Sequence, residues 1–180
     1  MIFFIPGELI SLLTFPGVIL HEIAHRFFCD INNVPVYGID YFNLGSKVAG
    51  SVFYEKPNSA WHSFFIAIAP LIINSLVCML LTMPFGIQFL LNTSFVDGSY
   101  PLSYLFISWV GYSIGFHAIP SNQDVKGLIE EAPSGFSKFI FIIFTGIIYL
   151  FNIEYIGFFF HLAYAFAISF FLPLLLISSF

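Results

Sequence analysis

Residues 21 to 25 read His-Glu-Ile-Ala-His, an H-E-x-x-H pattern inside the apolar run GVILHEIAHRFFC. On an α-helix, positions i and i+4 share a face, so His21 and His25 can aim two imidazoles at one point. Imidazole nitrogens hold Zn²⁺ at about 2.0–2.1 Å, and bound zinc makes hydroxide available near neutral pH. Glu22 is offset by one position and does not share the ligand direction; it suits a general base that takes a proton from water. Ionisable groups in an apolar helix are costly and are functional by default. The competing accounts are a water-filled polar pocket, a degenerate site, or a chance match. Chance is disfavoured in a chain with only five His.

A catalytic zinc takes three protein ligands. The stretch GFHAIPSNQDVKGL, beginning at Gly115, offers His117 and Asp124. Asp124 also completes an S-x-x-D capping box with Ser121, which would start a short helix over 122–131. On the residues alone, ligand and cap both stand.

These groups need elements to carry them, and composition says what kind. The chain is 59% hydrophobic and 8% charged, against about 25% charged in soluble domains. Lipid is its expected solvent. Five apolar runs are candidates for spans of about 20 residues: 2–29, 59–83, 102–119, 136–151 and 155–177. Pro16 divides the first run, predicting a short entry piece before a main helix. Residues 85–96 are apolar but short, as in an interfacial or re-entrant segment. Between the first two runs, 36–42 and 48–54 are β-prone, with Asn43, Gly45 and Ser46 as turn residues, and predict a β-hairpin. The expected fold is an all-α polytopic membrane protein, a single domain over 1–180 with about five transmembrane helices and a small hairpin.

Arg26, Lys47 and Lys56 follow the first helix, and Lys126 and Lys138 lie between the third and fourth. Loops 85–101 and 152–154 have no Lys or Arg. The positive-inside rule then predicts an integral plasma-membrane protein with its N-terminus outside, and its hairpin and C-terminus on the cytoplasmic side. His21 would lie roughly 14 Å along the helix from Asp30, below the interface. Cys29 and Cys78 form no disulfide framework. No basic patch points to nucleic acid.

With these motifs assembled, the chain resembles the site-2 protease family, the intramembrane zinc metalloproteases. His117-Ala118-Ile119-Pro120 stands where that family has Asn-x-x-Pro, and Asp124 where it has the third zinc ligand. IAIAPLIINS, ending at Ser75, is similar to the family's A-G-P-x-x-N stretch, with Ala69 for Gly. Asp124 follows Pro120 by four residues, one closer than is common, and Val125 replaces Gly. The similarity covers about 15–130, is closer to the smaller divergent members, and extends to helices four and five only in character. It implies a Zn²⁺ cofactor held by His21, His25 and Asp124, with His117 as alternative ligand or as a group lining the site. It also implies a role at the site for Asn74.

Other residues read more plainly. Pro70 would free carbonyls toward the cleft, and Gly111-x-x-x-Gly115 would let the third helix approach the zinc helix. His161 reads as a packing histidine, His62 as solvated beside Trp61, and Glu8 as too distant from His21. Glu130 and Glu131 read as a solvated face near Lys126. The expected function is zinc-dependent endopeptidase action on a membrane-associated peptide or protein in or near the bilayer. The alternative is a non-catalytic membrane partner that keeps the zinc site for binding; an intact Glu22 argues against it.

Overall fold

The computed structural model describes residues 7–44, 49–91, 102–153 and 156–179. Among these, seven helices and one two-stranded sheet follow in order. They are α1 (Gly7–Leu13), α2 (Phe15–Ile31), β1 (Val36–Asp40), β2 (Ser51–Tyr54), α3 (Ala60–Leu90), α4 (Leu102–Phe116), α5 (Leu128–Glu131), α6 (Phe136–Phe151) and α7 (Ile156–Ser178).

The first apolar run breaks where Pro16 requires. α1 and α2 meet at 86°. Pro16 falls in the first turn of α2, where its missing N–H costs no helical bond. Thr14 closes α1 by giving its backbone N–H (2.9 Å) and its hydroxyl (2.6 Å) to the Ile10 carbonyl. At the other end, Asn32 Nδ2 donates to the Phe28 carbonyl at 2.7 Å, and Asn33 takes the left-handed conformation at φ 52.

α3 corrects one expectation. It runs unbroken through Pro84, so residues 85–90 are helix and no separate interfacial segment forms there; residues 92–96 lie outside the described ones. The cause is packing on α7. A Cβ on Gly86 would sit 2.6 Å from Pro173 Cγ, and the Phe89 and Phe170 rings lie 5.4 Å apart. That contact holds the last turns beyond the bond lost at Pro84.

α4 stops at Phe116, three residues short of the expected end at 119. Pro120 disfavours helical backbone at Ile119 and offers no N–H to the Phe116 carbonyl. The chain tightens instead, with His117 N–H on Ile114 O and Ala118 N–H on Gly115 O, both at 3.2 Å.

The Gly111/Gly115 pair does not face the H-E-x-x-H helix. A Cβ on Gly111 would lie 2.7 Å from Thr82 Cγ2, and one on Gly115 would lie 2.6 Å from Cys78 Sγ and 3.1 Å from Ala165 Cβ. The pair therefore seats α4 on α3 and α7. Gly17 brings α2 onto α4: a Cβ there would overlap the Ser113 carbonyl. Ser113 Oγ accepts from Gly17 N–H and donates to Thr14 O, both at 2.9 Å.

The hairpin is antiparallel, pairing Val36 with Tyr54, Gly38 with Phe53, Ile39 with Val52 and Asp40 with Ser51, with a bulge between Val36 and Gly38. It is shorter than the expected runs. Val48, Gly45, Ser46 and Lys47 lie outside the described residues. Beyond α4, Ile119, Val125 and Leu128 bury against Ala67, Phe141 and Ile148, which fixes the 117–128 segment between α3 and α6. The expected helix over 122–131 reduces to α5 after a series of turns. Glu131 is not part of a solvated face: it accepts from Lys56 Nζ at 2.9 Å and Ser63 Oγ at 2.8 Å.

α3 and α7 are long and apolar enough to cross a membrane, and the bent α1–α2 pair makes a third if it is one span. α4 and α6, with 15 and 16 residues, are shorter apolar helices. The mostly helical, membrane-associated class of the sequence reading therefore holds, with two or three spans by length.

Gly115→Leu should destabilise the α3–α4–α7 contact by about 1–3 kcal/mol. Gly146→Ala, where a Cβ meets nothing within 4 Å, should stay within about 0.5 kcal/mol. Unfolding in mixed micelles of both variants beside the parent checks this.

Candidate metal centre

His21 and His25 lie one turn apart on α2, and the turn after Pro120 brings Asp124 against them. His21 Nε2 is 3.2 Å from His25 Nε2, Asp124 Oδ2 is 3.3 Å from His21 Nε2, and Asp124 Oδ1 is 3.3 Å from His25 Nε2. Among the described residues this is the group of His, Cys, Asp and Glu that could hold a metal ion. A tetrahedral ion with ligands at about 2.0–2.1 Å sets its donors roughly 3.3 Å apart, so the spacing fits.

The protons make the fit sharper. His25 Nδ1 donates to the Ile66 carbonyl at 2.8 Å, and His21 Nδ1 donates to the His117 carbonyl at 2.7 Å. A carbonyl only accepts, so each Nδ1 carries a proton, and each imidazole, when neutral, presents a lone pair at Nε2. Two lone pairs and a carboxylate then face one another in a site where His25 is 4% exposed. That arrangement needs a cation at its centre, either a metal ion or a proton.

Both carbonyls are available for stated reasons. Ile66 O would normally accept from residue 70 in the next turn, but residue 70 is Pro and has no N–H. The expectation that Pro70 frees a carbonyl toward the cleft is met at this atom. His117 O is free because α4 has ended, and Asn74 Nδ2 steadies it at 3.0 Å. Asn74 is fully buried and does not border the cavity; it supports the carbonyl that aims His21.

Asp124 serves as cap and as donor together. Its Oδ2 accepts from Ser121 N–H at 2.6 Å, while its own N–H donates to Ser121 Oγ at 3.3 Å. The box stops Asp124 from rotating away, and buried Val125 anchors the next residue. Burial pushes the Asp124 carboxyl up, but positive charge on the facing His25 and His21 imidazoles, when the triangle holds a proton, outweighs it and holds the group well below the usual carboxylate range.

The His117 side chain is not in the trio. Its Nε2 lies 2.7 Å from Thr14 Oγ1. Thr14 already gives its one hydroxyl proton to Ile10 O, so His117 donates. Glu8 is exposed on α1.

The trio opens into a cavity of about 600 Å³. Glu22 borders it and is 7% exposed, yet its carboxylate has no hydrogen-bond partner among the described residues. Gly50 makes room for it: a Cβ there would lie 2.7 Å from Glu22 Cγ and 2.8 Å from Oε1. Every residue from Ala49 to Tyr54 borders the cavity. Successive strand side chains point to opposite faces, so β2 meets the cavity edge-on. Its paired neighbour is β1, and its other edge is unpaired among the described residues.

His161 Nδ1 donates to the Phe116 carbonyl at 2.9 Å, and the ring borders the same cavity. The packing role read from sequence covers only half of this side chain. Gly17, Gly50, Thr14 and Ser113 carried no sequence signal for the site; their roles exist only once the helices cross.

No protein-family model, curated protein or solved structure matches this chain.

Pro70→Ala restores an N–H to compete for the Ile66 carbonyl. Zinc affinity should fall about 10- to 100-fold without loss of fold, measured by competition with a chromophoric chelator. His117→Ala, which keeps the carbonyl, should lose less affinity than His25→Ala.

Proposed function

We propose that this chain is a zinc-dependent endopeptidase that hydrolyses a peptide bond of a membrane-associated substrate. One observation carries the reading. The Glu22 carboxylate, which no described residue hydrogen-bonds, borders the same cavity as three convergent donors in an otherwise apolar helix bundle. Holding a carboxylate in a largely buried cavity wall is costly, and a binding-only site has no need of it.

His21, His25 and Asp124 would hold the ion, which when bound supplies Lewis-acid polarisation of the scissile carbonyl. Glu22 takes a proton from the attacking water as the oxygen bonds to the carbonyl carbon. It then gives that proton to the leaving amine as the C–N bond breaks. The Ile66 and His117 carbonyls keep the imidazoles aimed throughout. The unpaired edge of β2 suits an extended peptide, whose N–H and C=O groups would complete the ladder. A helical substrate must unwind to be cut, and a strand edge stabilises the unwound form.

In this reading the bent α1–α2 pair, α3, α4, α6 and α7 make five passes, with the N-terminus outside and the hairpin and C-terminus cytoplasmic, in the plasma membrane. Lys56 and Lys126 in alternate connections, with Arg26 toward the end of α2 and Lys138 in the first turn of α6, support it. At 1.5 Å per residue, α4 and α6 reach about 22–24 Å, so the bilayer would thin beside them. The resemblance to site-2 proteases agrees with this assignment.

Glu22→Gln should lower cleavage of a membrane substrate at least about 100-fold while zinc stays near one per chain. Full function in that variant would instead favour a binding subunit. A co-expression cleavage assay with elemental analysis of the same preparations separates the two.

A further inference from the structure

α7 reaches the cavity through His161; among the described residues no other residue of that helix borders it. The imidazole is oriented from behind. Nδ1 donates at 2.9 Å to the Phe116 carbonyl, the one that Pro120 leaves without its helical partner, and the ring packs 5.5 Å from the Phe116 ring. With the proton on Nδ1, a neutral imidazole presents Nε2 as an acceptor. Nε2 has no hydrogen-bond partner among the described residues.

A peptide strand on the free edge of β2 satisfies only one side of its backbone. N–H and C=O groups on its far side still need partners, and wherever the bound peptide excludes water an unpaired amide is costly. His161 Nε2 is an oriented, unused acceptor in that cavity.

We propose that His161 is a substrate-binding residue whose Nε2 accepts a backbone N–H of the peptide paired with β2. The proposal rests on the endopeptidase reading and deepens it. It specifies the substrate as an extended segment with a secondary amide at one fixed position, and it excludes proline there, which has no N–H.

The test uses the zinc-loaded full chain in detergent, with ¹⁵N-labelled histidine. The probe is an apolar peptide hydroxamate, made with its backbone amides free or singly N-methylated. At saturation the free-amide probe should move the His161 Nε2 resonance in the direction of an engaged lone pair. His161→Phe should keep its zinc and bind that probe about tenfold more weakly. N-methylation at one position should cost wild type a similar factor and leave His161→Phe unaffected. An unmoved Nε2 resonance at saturation, or equal affinity in wild type and His161→Phe, overturns the inference and leaves the endopeptidase reading intact. A probe that fails to bind zinc-loaded wild type overturns both. If His161→Phe does not fold, the wild-type resonance decides alone.

Discussion

Two imidazoles whose Nε2 atoms face each other at 3.2 Å form the contact on which the rest of this architecture depends. Without a cation between them the pair is unfavourable, and more so with a carboxylate closing the triangle. Nothing local to α2 forces it, since an exposed i, i+4 histidine pair would splay. It exists because each Nδ1 is tied to a backbone carbonyl from another element, Ile66 of α3 and His117 after α4. The helix crossings that supply those carbonyls also hold the donors in place for a cation.

Proline recurs as the means. Pro70 and Pro120 each leave the carbonyl four residues earlier without its helical donor, at Ile66 and Phe116. Each freed carbonyl accepts a histidine Nδ1–H, from His25 and His161 respectively. In an apolar bundle a free carbonyl is a liability; here it orients a side chain. Gly17, through its contact with Ser113 on α4, and Gly111 and Gly115, through theirs with α3, allow the close approaches that make these bonds short enough.

Much of this was written in local sequence. The H-E-x-x-H spacing puts both histidines on one face, Pro16 predicts the break before α2, and Pro70 signals a free carbonyl. The apolar runs at 136–151 and 155–177 correspond to α6 and α7 within a residue, Tyr155 lying outside the described residues. What could not be read depends on contacts between distant segments. α3 continues past Pro84 because α7 lies against it. The glycine pair in α4 has a clear motif but no sequence label for its partner, and it faces α3. Ser121-x-x-Asp124 reads as either cap or donor, and in three dimensions one carboxylate does both. His161 looks like packing because its cavity is assembled from α2, the hairpin and the α4–α5 connection. Gly50 acquires meaning only when the hairpin folds over Glu22.

The central claim is that the His21–His25–Asp124 triangle is a metal site of stated composition. Zinc K-edge absorption on the purified wild-type chain in detergent tests it most directly. The account predicts near-stoichiometric zinc with two imidazole nitrogens and at least one oxygen at about 2.0–2.1 Å. Absence of zinc after incubation with it at neutral pH, or a first shell without imidazole, would contradict the account and leave a proton as the cation in the triangle.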